Sequence, residues 1–471
     1  MISIIKNNKL QKGLVFVAIA FTLQSCFVAK DYKRPEVTET ENLYRTDNLP
    51  SDSISMANIS WKTLFTDTYL SEYIAEGLQN NMDVRIAIQQ MIAAEAYAKQ
   101  GKAGYLPSIS VGANATHQEL SKNGQFGSIF GGGIDQYDIT ANVSWEADIW
   151  GKIRSNKRAT AAGYLQSVAA HQAVKTQLIS SIATTYYQLL ALDSQLEITK
   201  KTIESRKNGV ETIKALKDAG LTNQVAVDQN IAQYNSARAL EVDIETAIFK
   251  TENTLSILLG KNAQKIERGS LTNQKIETEL KLGVPSTLLS NRPDVMAAEY
   301  NLIQSFELSN VARSNFYPSL KLTASGGFQS LELDNLIDTN SLFATIIGGL
   351  TQPIFNKRSL KTQQEVALAQ QEQSLLQFKK ALLVAGNEVS NALFTYTSET
   401  KKFEFRKNEV EALRKAEQNS EELLKNGYAT YLDLLTARQS ALNAELNVID
   451  SKLQQLVSIV DLYEALGGGL K

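Results

Sequence analysis

The stretch AGYLPS at residues 103–108 decides the fold, because a close copy, SNFYPS, follows at residues 314–319. Three further landmarks recur around both copies in the same order. These pairs are MDV at 82–84 with PDV at 293–295, DIWG at 148–151 with PIFN at 353–356, and AGL at 219–221 with NGY at 426–428. A duplication of this size predicts two copies of one large supersecondary block within one fold, not a short solenoid repeat.

The composition is that of a folded protein without a strong charge bias. The chain has 471 residues, of which 43% are hydrophobic and 21% charged, and its net charge is −2. This balance argues against nucleic acid as the main partner, since that partner requires a basic face. Beyond the N-terminus no apolar run approaches the length of about 18 residues that a membrane-spanning helix needs, so none is expected.

The N-terminus has the pattern of a targeting segment. A basic start over residues 6–12 precedes an apolar stretch at 14–23 that is too short to span a bilayer. LQSC at 23–26 has the form of a bacterial lipobox, and Cys26 is the only cysteine. We therefore expect a lipoprotein signal peptide over residues 1–25 and lipid attachment at Cys26, the alternative being a buried free thiol. The residue directly after Cys26 is Phe27 and not aspartate, which in many Gram-negative bacteria permits sorting to the outer membrane.

Period-two alternation predicts two strand pairs, at about residues 108–150 and 318–355. In the first strand the apolar positions alternate with small polar ones; the apolar residues are Ile109, Val111, Ala113 and Ala115. Each strand is about ten residues long and has one apolar and one polar face. The fourth strand, at about 342–355, alternates less cleanly because Ile347 falls among the polar positions.

The distribution of proline predicts very long helices. No proline falls between Pro107 and Pro285, and none follows Pro353. Since proline costs about 3 kcal/mol inside a helix, these gaps permit helical hairpins at about 153–260 and 358–466. The longer arm of each hairpin would approach about 100 Å. The last helix carries a seven-residue apolar repeat that predicts a helix-packing seam, at Leu435, Leu442, Ile449, Leu456 and Tyr463.

The chain therefore divides, on sequence grounds, into a short leader region and two structural repeats. Residues 26–66 are polar and irregular and are predicted to form an extended tether. The first repeat is expected over residues 67–285 and begins with a helix at about 67–101. The second repeat is expected over 286–471. Each repeat is predicted to run helix, strand, loop, strand and long helical hairpin.

The predicted strands match the length and pattern of strands that cross a membrane. In lipid every backbone donor and acceptor must be paired, so an open four-stranded sheet cannot stand alone there. Closed barrels begin at about eight strands, and three chains would supply about twelve, enough to leave a water-filled lumen. The alternative is a soluble β-sandwich, which the lipobox and the long proline-free helices disfavour.

At these residues the chain resembles the TolC-like outer-membrane efflux protein family, in the lipoprotein (NodT-type) branch of drug-efflux outer-membrane factors. The resemblance covers nearly the whole mature chain. Its marks are DYKRPE at 31–36, YLPS at 105–108, WEADIWGK at 145–152, NRPDV at 291–295 and NGY at 426–428. It implies an α+β membrane protein with internal duplication, assembled as a homotrimer. A shared 12-stranded β-barrel would cross the outer membrane, and the helical hairpins would form a periplasmic α-barrel.

The same resemblance implies partners and site residues. The partners would be a periplasmic adaptor protein, an inner-membrane pump of the RND type and outer-membrane lipid. Asp433 would form a ring of carboxylates at the pore constriction, and Thr436 stands where many members have a second acid. The hairpin tips would form the adaptor-docking end, at Gly220, Leu221, Gly427 and Tyr428. The alternatives are an ordinary aspartate in the first turn of a helix and simple glycine caps.

The sequence contains no pattern that favours catalysis. Its two histidines, His117 and His171, lie far apart, and no metal-ligand spacing, nucleophile motif or phosphate loop is present. We therefore expect no enzyme activity, cofactor or metal centre. Three functions remain open: a passive exit duct for drugs or other small molecules, the exit duct of a type I protein secretion system, and a lipid-anchored coiled-coil scaffold without a pore.

Overall fold

The computed structural model describes residues 28–35, 60–124, 127, 133–274 and 292–468. Cys26 and most of the predicted tether lie outside these described residues. The chain forms two compact units, each drawing on both sequence repeats. The first unit takes its described residues from Met1–Glu36, Met91–Gln166 and Ala298–Phe378, and the second from Val37–Gln90, Ser167–Ala297 and Lys379–Lys471.

Within each repeat the elements follow the predicted order of helix, strand pair and long helical hairpin, except that the first helix is broken and a short helix precedes it. They are α1 (Trp61–Leu64), α2 (Thr68–Asn80), α3 (Met82–Ala103), β1 (Ser108–Glu119), β2 (Gly133–Ala147), α4 (Lys152–Asp218), α5 (Gln224–Leu258), α6 (Pro293–Ser314), β3 (Ser319–Ser330), β4 (Leu342–Thr351), α7 (Ser359–Lys425) and α8 (Tyr431–Ala465). Among the described helices, none has both the length and the apolar character needed to cross a bilayer.

The internal duplication is confirmed by the lengths of corresponding elements. α3 and α6 have 22 residues each, α4 and α7 have 67 each, and α5 and α8 have 35 each. β1 and β3 have 12 residues each. The two copies are therefore the same structural block, with the same arm lengths in each hairpin.

The prediction of a single helix at about 67–101 is wrong, because the chain breaks at Asn81 into the two helices α2 and α3. The Asn81 side chain accepts hydrogen bonds from the amides of Asp83 (2.8 Å) and Val84 (3.2 Å), which caps the start of α3. Its amide group also donates to the Leu258 carbonyl at 2.9 Å. Asparagine competes with the helix backbone for hydrogen bonds, and the apolar periodicity on either side does not reveal this break.

The extended tether is also corrected in its described parts. Residues 29–35 run without regular structure, but Val28 and Ala29 are buried. Lys30 and Asn310 exchange two hydrogen bonds, at 3.2 and 2.9 Å, so this segment docks on α6. Near its other end, residues 61–64 form the short helix α1. The fourth strand, expected to reach residue 355, ends at Thr351.

The four strands form one antiparallel sheet in the order β1-β2-β3-β4. Their register places apolar side chains in one row across all four strands and polar side chains in the next row. One apolar row consists of Ile109, Val143, Ala324 and Ile346, and the adjacent row, on the opposite face, of Ser110, Asn142, Ser325 and Thr345. Ile347 lies in a row with Ser144 and Thr323, so the irregularity read from the sequence is real. Ile109 and Ile346 are exposed, which leaves the apolar face uncovered within the chain.

The second unit contains the main hydrophobic core. Its largest fully buried side chains include Tyr186, Tyr463 and Phe65, and the rings of Phe65 and Tyr463 meet edge to face with centroids 5.8 Å apart. Four of the five positions of the predicted seam in α8 are buried: Leu442, Ile449, Leu456 and Tyr463. The seam thus packs the last helix into the core.

Candidate functional site

The tips of the two helical hairpins have the same backbone construction. Gly220 and Gly427 adopt positive φ values of 76° and 77° just after α4 and α7. The following amides, of Leu221 and Tyr428, donate back to carbonyls five residues earlier, at 2.9 and 2.8 Å. This is the Schellman arrangement that ends a helix, and glycine adopts the required conformation without a Cβ penalty. Leu221 and Tyr428 therefore lie exposed at the apex of the turns.

Asp433 lies in the first turn of α8 and forms a capping box with Thr430. Its carboxylate accepts hydrogen bonds from the Thr430 amide (2.8 Å) and hydroxyl (2.6 Å), while its own amide donates to that hydroxyl at 3.3 Å. These bonds hold the pKa of Asp433 below its ordinary value. The side chain is exposed, so the local cap and a position facing a pore are compatible.

Thr436 lies one turn further along α8 and is also exposed. Its hydroxyl donates to the Leu432 carbonyl at 2.9 Å, a bond within its own helix. A threonine hydroxyl carries no charge. The chain therefore offers one carboxylate, Asp433, at this end of α8, and Thr436 adds only a polar group.

Two polar side chains that the sequence analysis did not single out connect the hairpins close to their tips. The Tyr431 hydroxyl donates to the Asn230 side chain, which joins α8 to α5. Arg206 of α4 is buried and donates to the Gln233 carbonyl (2.5 Å) and to the Gln439 side chain (2.7 Å). Burial lowers the pKa of Arg206, and its hydrogen bonds link three helices.

An ionic cluster joins the two arms of the second hairpin. Arg414 of α7 bonds Glu445 of α8 at 2.5 Å and Glu417 at 2.7 Å. Arg438 of α8 bonds Glu421 of α7 at 3.2 Å. These pairs fix the register of α7 against α8 just above the tip, so the position of Asp433 is tied to that of α7.

A cavity of about 1070 Å³ lies beside this network, between α4, α7 and α8. Its apolar lining includes Leu216, Leu424 and Leu434, and its charged lining includes Glu204 and Arg438. In the described part of the chain no group of three or more His, Asp or Glu side chains is arranged to hold a metal ion.

Neither Arg206 nor Asn230 could be found from the sequence. Both belong to long helices that are predominantly polar on the surface, and nothing in their neighbourhood distinguishes them from solvated residues. Tyr431 offered a weak signal, since it follows the tip directly and is the first residue of α8. Only the packing of three helices brings these groups together.

The comparisons with known proteins agree with this architecture. The chain is 27% identical over 467 residues to the toluene efflux pump outer membrane protein TtgF of Pseudomonas putida, with 96% of each chain covered. It is 26% identical over 459 residues to SilC of Salmonella typhimurium, a probable outer membrane lipoprotein, covering 97% of this chain and 98% of SilC. The open-state crystal structure of the Neisseria gonorrhoeae MtrE outer membrane channel matches with a TM-score of 0.83 and 26% identity, covering 94% of this chain and 98% of MtrE.

The family model described as "Outer membrane efflux protein" matches the chain twice, at residues 73–261 and 284–468. Each match contains one strand pair and one long hairpin, so both structural repeats carry the family pattern. The chain therefore belongs to the outer membrane efflux protein family and serves as the outer-membrane channel of an efflux system, a transport role rather than an enzymatic one.

Proposed function

We propose that the chain is the passive exit duct of a tripartite system that exports drugs or other small molecules, and that it works as a homotrimer. An inner-membrane pump of the RND type would supply the driving force through a periplasmic adaptor. The similarity to the toluene efflux protein TtgF along the whole chain supports a small-molecule cargo. An exit duct for secreted protein would use the same architecture and is the second candidate.

One observation carries the proposal of a shared pore, namely the form of the four-stranded sheet. β1 and β4 are its edge strands, and the apolar row from Ile109 to Ile346 is uncovered. Such a sheet is stable in lipid only if its edges pair with other strands. Pairing β4 of one chain with β1 of the next closes a barrel of about twelve strands, with the polar rows lining the lumen.

The remaining assignments add the lipid anchor, the hairpin tips and Asp433 to this proposal. Lipid attached at Cys26 would add a second hold on the outer membrane. The exposed hairpin tips with Leu221 and Tyr428 would meet the adaptor. Three Asp433 carboxylates would surround the trimer axis. They would form a cation site and act as an electrostatic filter at the constriction of the pore.

The experiment uses the purified full-length protein in detergent and in planar bilayers. We expect a trimer by light scattering and cation-selective single channels that multivalent cations block. Asp433→Asn should weaken the block and reduce cation selectivity, and Asp433→Arg should shift selectivity toward anions. The matched control is Asp228→Asn, which changes an exposed acid just past the first turn of α5, the helix that corresponds to α8 in the first repeat.

The outcomes separate the parts of the proposal. A monodisperse monomer that gives no conductance would rule out the shared barrel. Channels whose block and selectivity are the same in both Asp433 variants as in the unchanged protein would show that this residue faces away from the pore. Export of the natural cargo is tested by restoring drug resistance to a strain that lacks its own outer-membrane channel. Resistance that does not return would favour the secretion duct.

A further inference from the structure

The junction between the strands and the helices is built twice in each chain, but only one of the two copies is complete. In the complete copy, the elbow that leads from β2 into α4 packs on the end of α6, just before β3. Trp150 of this elbow is buried, with 7% of its surface exposed. Its ring lies 4.9 Å from the Tyr317 ring, and its indole N–H donates to the Pro318 carbonyl at 2.8 Å.

This first elbow is held by a further polar contact. The Ser314 hydroxyl, at the end of α6, donates to the Trp150 carbonyl at 3.2 Å. The elbow and the end of α6 meet because β2 and β3 are neighbours in the sheet, paired from Tyr137 with Ser330 to Ala147 with Leu320. Strand pairing thus brings an aromatic side chain from one repeat onto the strand entry of the other.

In the second copy of the junction the corresponding side chains are exposed. By the sequence duplication, Phe355 corresponds to Trp150, and Leu106 corresponds to Tyr317. Phe355 is 88% exposed and Leu106 is 68% exposed, although their counterparts meet within the chain. The reason lies in the sheet order, since Phe355 follows the edge strand β4 and Leu106 precedes the opposite edge strand β1.

We infer that Phe355 of one chain packs on Leu106 of a second copy of this chain, completing between chains the elbow that Trp150 and Tyr317 form within one. The inference rests on the proposed trimer, in which β4 pairs with β1 of the neighbour. That pairing repeats the β2–β3 neighbourhood and carries the second elbow onto the neighbour's strand entry. The occupant of this exposed apolar site is therefore another copy of the chain.

The chemistry of the open junction differs from that of the complete one in a defined way. Phenylalanine has no N–H to donate to the carbonyl of Pro107, which corresponds to Pro318. Ala103 stands where Ser314 supplies its hydroxyl. The contact between chains therefore packs a phenyl ring on a leucine side chain and lacks both hydrogen bonds, so we expect it to be weaker than the contact within the chain.

Cross-linking tests the contact directly. The pair Leu106→Cys and Phe355→Cys is placed in one chain, and a short bismaleimide is added to the membrane-inserted protein. We expect covalent dimers and trimers from the double variant, and covalent dimers alone when the two single variants are expressed together. The unchanged protein, which retains Cys26, gives the background. The matched control pairs Phe355→Cys with Ile337→Cys, a similarly exposed residue in the loop between β3 and β4 at the other end of the strands, and should give no covalent oligomer.

A second set of variants measures the strength of the contact without cysteine. Because Phe355 is exposed in the single chain, Phe355→Ala should leave the protomer folded and lower the temperature at which the trimer dissociates in SDS by several degrees. Phe355→Trp should raise that temperature, because an indole N–H can then donate to Pro107 of the neighbour as Trp150 does within the chain.

The results distinguish this inference from the proposed function. If light scattering shows a trimer but the cysteine pair does not cross-link and the Phe355 variants dissociate at the same temperature as the unchanged protein, the elbow contact is wrong and the channel proposal stands. If light scattering shows only a monomer, both the elbow contact and the shared barrel are wrong. Cross-linked trimers together with the ordered dissociation temperatures Ala, Phe and Trp would establish the contact.

Discussion

At the scale of single residues, Asp433 has a local role in the chain and, in the proposed trimer, a second role in the pore. Within the chain it completes a capping box, and Thr430 lowers its pKa. In a trimer, two further carboxylates nearby would act in the opposite direction, because like charges raise one another's pKa. Removing Thr430 changes only the first effect, so the two influences can be separated.

Thr430→Ala should raise the pKa of Asp433 toward its ordinary value of about 4. A carboxylate with a lowered pKa stays charged to lower pH, so block by multivalent cations should persist further into the acid range in the unchanged protein than in the variant. The measurement is single-channel block between about pH 3 and pH 6. Thr436→Ala is the control, since its hydroxyl bonds the Leu432 carbonyl and not Asp433. The same pH dependence in both variants would contradict the prediction.

The stability of the start of α8 depends on pH in the same direction as the cation block. Because the folded pKa of Asp433 is lowered, its capping contribution is fully present above the unfolded pKa and is lost as the pH falls through the folded value.

The sequence predicted the place of Asp433 in the first turn of α8. It could not predict Arg206 or Asn230 as connecting residues, because their partners come from helices that are distant in sequence.

At the scale of elements, the sequence was informative wherever local chemistry sets a boundary. Proline-free stretches gave the long arms, and glycines gave the tips, because both residue types act on their own backbone. The break at Asn81 was missed because it depends on one side chain that caps α3 and also bonds the Leu258 carbonyl. Boundaries that rest on tertiary contacts do not appear in a periodic pattern.

Gly427 and Gly260 both have a positive φ, but only Gly260 lies against other atoms. Replacing each by alanine therefore measures the backbone cost with and without a steric clash. At Gly427, with φ of 77°, an added Cβ meets nothing within 4 Å, so Gly427→Ala should cost only the backbone penalty of about 1–2 kcal/mol. At Gly260, with φ of 71°, the same atom would lie 2.5 Å from the Asn80 carbonyl oxygen. Gly260→Ala should therefore lower the apparent Tm by clearly more than Gly427→Ala, as followed by circular dichroism. Equal shifts would show that packing at Gly260 is looser than the structure indicates.

At the scale of the whole molecule, the alternating strands predicted two unlike faces, and the register confirms them. Ile109, Val143, Ala324 and Ile346 align although they come from four separate strands. The pairing at the two edges could not be read from strand patterns, because in the proposed trimer it involves another copy of the chain. The duplicated elbow supplies information about these edges, because the junction within the chain is the template for the inferred junction between chains.

The assignment of the two faces can be tested at neighbouring residues of β4. Ile346 belongs to the apolar row and Thr345 to the polar row, and both are exposed in the chain. If the apolar row faces lipid, Ile346→Arg places a charge in the hydrocarbon layer at a cost of about 2–4 kcal/mol near the midplane, whereas Thr345→Arg places it in the aqueous lumen. The readout is the fraction of protein recovered from outer membranes as a heat-dissociable trimer in SDS.

We expect Ile346→Arg to reduce that fraction severalfold and Thr345→Arg to leave it nearly unchanged while altering the ion selectivity of the channel. The two variants carry the same charge at adjacent positions of one strand, so general effects of arginine on expression or edge pairing apply to both. Loss of assembly in Thr345→Arg with normal assembly in Ile346→Arg would reverse the two faces. Normal assembly in both would mean that these residues lie beyond the lipid layer, and that the membrane contacts the sheet at other rows.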